Sequence, residues 1–235
     1  MVKKELTHEQ KRLDIDLWII IIVSLVALGT YIVFQDPISA FSRNSEKNIL
    51  LRVLLSAMFQ FGLAGLGITI VSIIRKESFL SYGLRKKGTV VSIILCSLCF
   101  VPAILFRFLT GHFTGYLPFQ QVWMTKDVLA SGFPSNAIGM LITTVAWGFF
   151  EGFNYVVISD KINKRYPSKN KWLNWGAIIC AILCILIHGA VGVTAESIIH
   201  MFTTIIIIYG MLMVQKFSGN AWGCVFIFVF LWNAF

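Results

Sequence analysis

Glu151 sits inside WGFFEGFNY (residues 147–155), a carboxylate among aromatic and apolar side chains. His188 follows the apolar run LCILI, and Asn233 follows FIFVFLW. Polar groups deep in an apolar run are costly and usually face a bundle interior or a wet cavity, so each marks a functional site by default. The chemistry that this set permits is specific. A carboxylate shielded from bulk water is a stronger base toward a trapped water. A neutral imidazole can hold that water, and a carboxamide can donate to a developing oxyanion. Together they would hydrolyse a polarised carbonyl. Three further residues are supporting candidates. Asn154 lies one turn beyond Glu151, and Glu196 and His200 share a helix face four residues apart. An architectural reading uses the same residues: a protonated Glu151 bonded to His188 or Asn154 would lock helices together, and Glu196 would pair locally with His200.

The elements that must position these groups are transmembrane helices. Hydrophobic residues make up 57% of the 235 residues and charged residues 13%, and mean hydropathy is +0.79. Soluble chains carry about 45–50% and about 25% respectively, so a soluble globule is excluded. A hydrocarbon core about 30 Å thick needs about 20 apolar residues in a helix. Seven runs come close, approximately 17–34, 50–74, 89–109, 137–159, 173–192, 197–215 and 220–235. The expected fold is an all-α polytopic bundle of about seven spans forming one membrane domain over residues 1–235.

Charge orients it. Of the basic residues between and before the runs, Lys3, Lys4, Lys11, Arg12, Arg75, Lys76, Arg85, Lys86, Lys87, Lys161, Lys164, Arg165, Lys169, Lys171 and Lys216 fall on one side. Only Arg43, Lys47 and Lys126 fall on the other. Lys and Arg crowd cytoplasmic loops, so the N-terminus is expected to be cytoplasmic and the C-terminus external, in the plasma membrane. The net charge of +9 is thus a topology signal, with no nucleic-acid partner implied; the partner is the lipid bilayer. Arg52 and Arg107 lie near span ends and are expected to snorkel. Residues 75–88, RKESFLSYGLRKKG, read as a short interfacial helix on an anionic leaflet, and residues 111–136 as an aromatic interfacial loop. The charged N-terminal stretch lacks a cleavage-site pattern, so the first apolar run is expected to remain as an anchor.

At 1.5 Å per residue, Glu151 lies roughly 12 Å from the cytoplasmic end of its span, and His188 and Asn233 each lie roughly 20 Å in. The three are therefore expected to converge near mid-membrane, whereas His200 falls only about 5 Å below the outer surface. Asp16, by contrast, reads as peripheral. Gly148 and Gly152 flank Glu151 at a spacing that admits a close helix neighbour. Cys96, Cys99, Cys180, Cys184 and Cys224 all lie in apolar runs and read as small packing residues. No zinc spacing, Walker loop, dinucleotide fingerprint or HExxH is present, so neither metal nor cofactor is expected.

From about residue 77 onward the chain resembles the CAAX protease and bacteriocin-processing (CPBP, or Abi) family of intramembrane glutamic peptidases. SFLSYGLRKKG is similar to the family's amphipathic segment, and FFEGFNYVVISDKI falls where the family has Glu-Glu-x-x-x-Arg. LCILIHGAVG resembles its Phe-x-x-x-His helix end, and FSGNAWGCVFIFVFLWNAF its closing Gly-Asn-x-Trp helix with His-x-x-x-Asn. The resemblance implies a metal-independent endopeptidase acting on peptides or prenylated protein C-termini. It makes Glu151 the water-activating base, His188 its water-orienting partner and Asn233 an oxyanion donor. The motifs also depart from the family: Gly152 replaces the second glutamate, Val156 the arginine, Cys184 the phenylalanine and Val229 the last histidine. Those losses keep a second reading open, a degenerate member that binds a peptide or immunity partner. A third is a small transporter or proton relay through Glu151, Glu196, His188 and His200.

Overall fold

The computed structural model describes residues 6–189 and 191–235. Helix accounts for 75% of the structure and no strand forms among the described residues. Helices satisfy their backbone polar groups internally, which an apolar solvent demands. In chain order they are α1 (His8–Val33), α2 (Gln35–Arg43), α3 (Ile49–Arg75), α4 (Thr89–Leu109), α5 (Thr125–Ala130), α6 (Ser135–Arg165), α7 (Trp175–Ile187), α8 (Ala195–Ser218) and α9 (Trp222–Leu231). Five of them, α1, α3, α4, α6 and α8, are long and apolar enough to cross a membrane.

The fifth and seventh apolar runs fold into the shorter α7 and α9, roughly 20 and 15 Å long at 1.5 Å per residue. Helix α7 stops early because Gly189 takes a left-handed conformation, φ 62°, which leaves His188 at the helix end. Polar caps set the starts. Thr7 and Gln10 form a reciprocal capping box on α1, and Asn48, Asn174 and Thr194 accept from the first-turn N–H groups of α3, α7 and α8.

Helix α6 is central: α1, α3, α7 and α9 pack around it, while α4 and α8 complete the other side of the bundle. The core joins Phe153, Val156 and Val157 of α6 to Cys180 and Cys184 of α7, Ile208 and Met211 of α8, and Ile227 and Phe228 of α9. All five cysteines are free, and all but Cys99 are buried.

The buried Asn220, just before α9, ties the loop after α3 to the rest. Its Nδ2 donates to the carbonyls of Arg85 and Lys87, and its own carbonyl accepts from Ser92 Oγ. That loop differs from the expected interfacial helix. It holds a single 3-10 turn, Phe79–Tyr82, and its aromatics turn inward: Tyr82 is buried and Phe79 packs on Phe150 and Phe153. Residues 111–136 also fold partly inward, with Phe119, Met124 and Val128 buried while Tyr116, Trp123 and Phe133 stay exposed. Arg52 does not snorkel. It is buried, donating to Asp127 at 2.7 Å and to the carbonyl of Ser42 at 2.7 Å. Arg107 donates to the main-chain carbonyl of Phe235.

The largest departure is Asp16. It is 0% exposed, because α1 begins nine residues before Leu17 and turns Asp16 toward α3 and α6. Arg75 Nε lies 2.6 Å and Lys161 Nζ 2.9 Å from its carboxylate. Lys161 also reaches Glu77 at 3.0 Å, and the Tyr82 hydroxyl and Arg12 donate to Glu77 as well. Burial pushes the Glu77 carboxyl up, but the Tyr82 hydroxyl, Lys161 and Arg12 together outweigh it and hold Glu77 below its usual range. Burial first, and then Glu77, push the Tyr82 hydroxyl up, so it stays a donor. For a carboxylate depressed in the folded state, the stabilisation is present above the ordinary value of 4.5 and is lost as pH falls through the lower folded value. The thermal unfolding midpoint in detergent micelles is therefore expected to be level near neutrality and to drop below about pH 4.5. Glu77→Gln should flatten that drop.

Candidate active site

Three π turns build the site. One lies in α3 at Gly62–Leu66, one in α6 at Thr144–Phe150 and one in α9 at Ile227–Leu231. Such turns insert a residue into the helix and re-aim the side chains that follow. Glu151 is the first residue after the second, Asn233 follows the third by two residues, and Gln60 precedes the first by two. The turn in α6 packs against both of the others. Phe61 meets Phe150 edge-on, ring centroids 4.7 Å apart.

Glycine permits the approach of α9 to α6. A Cβ on Gly152 would lie 2.9 Å from the Cys224 carbonyl, and one on Gly148 would lie 2.6 Å from Val229 Cγ2. Position 152 faces the backbone of α9 and has no room for a side chain, and Val229 fills the space over Gly148. Val156 is fully buried in the core, where an unpaired charge would be costly.

Glu151 and His188 come together. Glu151 Oε1 lies 3.4 Å from His188 Nε2, and Gln60 Nε2 donates to Glu151 Oε2 at 2.8 Å. The Glu151 side chain is 8% exposed and that of His188 is 40% exposed, so the imidazole stands between the carboxylate and open space. The His188 ring also meets Trp232 edge-on at 5.6 Å. His188, Cys184, Trp232 and Asn233 line a cavity of about 450 Å³. Its walls are mixed, with Phe100, Phe106 and Ile207 beside Arg107, Gln121, Thr203 and Thr204. The main-chain carbonyl of Asn233 accepts from the Gln121 N–H at 3.0 Å, which pins this stretch to residues 117–121.

The supporting candidates divide. His200 and Glu196 both line the same cavity, so His200 reaches the site despite its shallow depth in the sequence reading. Glu196 does not pair with His200. It faces His112 Nδ1 at 3.4 Å, because the loop after α4 folds over the start of α8. Asn154 makes no bond to Glu151; its Oδ1 is buried with no hydrogen-bond partner. Sequence reasoning missed Gln60, Arg107 and Gln121. Gln60 carried a signal, a lone carboxamide in the middle of an apolar run, whereas the interest of Arg107 and Gln121 arises only from the folding of the loop between them.

A carboxylate backed by an amide donor, facing an imidazole that opens onto a cavity of mixed polarity, is an acid–base pair able to move a proton to and from a water in that cavity. Among the described residues no three His, Cys, Asp or Glu side chains are grouped to hold a metal ion. In comparison with known proteins, no family model, no curated protein and no solved structure matches this chain.

Proposed function

We propose that the protein is a metal-independent endopeptidase of the plasma membrane, of the CPBP type, that hydrolyses peptides or prenylated protein C-termini at the bilayer. The observation that carries this reading is the buried Glu151 carboxylate, held by Gln60 on one oxygen and facing His188 on the other. His188 opens onto the cavity that Asn233 also lines. The geometry favours the two groups acting in series. His188 takes the proton of a cavity water while Glu151 stabilises the imidazolium, and the water oxygen bonds to the carbonyl carbon. The Asn233 carboxamide donates to the oxyanion. Collapse breaks the C–N bond, and His188 returns the proton to the leaving amine. We further read all seven apolar runs as membrane-embedded, with a cytoplasmic N-terminus. That assignment is supported by the one-sided distribution of Lys and Arg.

A second reading is a binding or immunity protein that keeps the cavity without turnover. It is favoured by the close packing at Gly152 and Val229, which leaves neither a second acid nor a second imidazole at those positions. The deciding experiment is incubation of the purified protein in proteoliposomes with a mixed set of membrane peptides, including prenylated C-terminal ones, read by mass spectrometry. Cleavage that persists in EDTA is the expected result. Peptide binding with no cleavage would select the second reading.

A further inference from the structure

Gln60 lies on α3, outside residues 77–235 and outside every motif considered above, yet it makes the one directed hydrogen bond to Glu151 among the described residues. We propose that Gln60 is a positioning residue of the active site, which holds the Glu151 carboxyl group turned toward His188. Its effect on turnover rests on the hydrolytic reading above; its effect on the carboxylate does not.

A carboxylate offers about four acceptor sites, and its terminal torsion is broad and roughly two-fold. Left alone beside one imidazole, it would rotate and share that contact between both oxygens. The Gln60 amide at 2.8 Å from Oε2 fixes the plane of the group, and Oε1 is then the atom presented to His188 Nε2 at 3.4 Å. An amide donor is also electrically neutral. It fixes the group without placing a second charge beside His188. Position 156 cannot supply a donor, because Val156 is fully buried among apolar side chains.

The fold commits α3 to this task. Gln60 immediately precedes Phe61, which packs on Phe150, the residue before Glu151. A Cβ on Gly65 would lie 2.3 Å from the Phe61 ring and 2.8 Å from that of Phe150. The absence of a side chain there allows the two π turns to nest. Ser24 Oγ donates to the Leu63 carbonyl at 2.7 Å, which ties α1 to the same turn. The N-terminal helices are therefore part of the site.

The test is Gln60→Met, nearly isosteric but without a donor, examined in the full protein in proteoliposomes by infrared spectroscopy. The Glu151 carboxyl bands are assigned by their disappearance in Glu151→Gln. Loss of the amide donor is expected to shift the Glu151 bands away from their wild-type frequencies, since a charge-assisted hydrogen bond to one oxygen is removed. Ser56→Ala, one turn earlier on α3, should leave them unchanged, as a merely structural disturbance of this helix would not. Gln60→Asn keeps the amide but withdraws it by one methylene, and should show the same shift if the Met variant fails to fold. Where the wild type cleaves peptide, Gln60→Met should lower kcat about tenfold with KM unchanged. Glu151 bands identical to wild type in the variants overturn the proposal. A wild type that cleaves nothing removes the hydrolytic reading alone, and the infrared comparison still decides the role of Gln60.

Discussion

Glu151→Gln is expected to lower peptide cleavage by about 10²–10⁴-fold, the usual contribution of a positioned acid–base group, with membrane insertion and thermal stability close to wild type. The substitution is isosteric, and the amide still bonds Gln60 and fills the same space between α3 and α7. What it removes is the negative charge behind His188, 3.4 Å from Nε2. An imidazole that accepts a proton there gains no stabilisation from a neutral amide. His188→Ala should fall to a similar level, and the double variant should fall no further, because two groups acting as one unit are not additive. Initial rates on a peptide found to be cleaved in proteoliposomes, with insertion checked by protease protection, measure both. Cleavage at the wild-type rate in Glu151→Gln would sink the assignment.

The second large effect lies far from the site. Asp16→Ala should destabilise the fold by about 3 kcal/mol, because it leaves the buried Lys161 and the half-buried Arg75 without their shared anion. Lys161 is 2% exposed and would keep only Glu77 at 3.0 Å, while Arg75 would lose its partner at 2.6 Å. Asp16→Leu combined with Lys161→Met should cost less than the sum of the two single changes, since the members of one network couple. Denaturant unfolding in micelles provides the measurement. Equal stability of Asp16→Ala and wild type would show that the cluster contributes only to the choice among alternative packings. The network joins α1 to the C-terminal half of α6, so its loss is expected to loosen the helix that carries Glu151 before it touches the site.

The two clusters were unequally legible. Glu151, His188 and Asn233 stand out in the sequence because a polar group in an apolar run is energetically conspicuous wherever the run folds. Asp16 follows the charged N-terminal stretch, where an acid is unremarkable, and its burial depends on how far α1 extends and which face meets α6. Gln60 lay between these cases. Its position in an apolar run was visible, but an amide alone carries no indication of its partner.

Composition and pattern by themselves determined the helical class and the membrane as solvent, and singled out Glu151 and His188 as candidate residues. Each of those depends on local hydropathy and on the cost of burying polar atoms, which a linear sequence records. Only the tertiary structure decided which groups meet. It brought Glu151 to Gln60 and His188, set His188 and His200 on one cavity, turned Glu196 to His112, and closed the space at Gly152 and Val229. The physical reason is that π turns, helix ends and glycine contacts each rotate a side chain by a large part of a turn. Those rotations depend on neighbouring helices, about which no local stretch of sequence carries information.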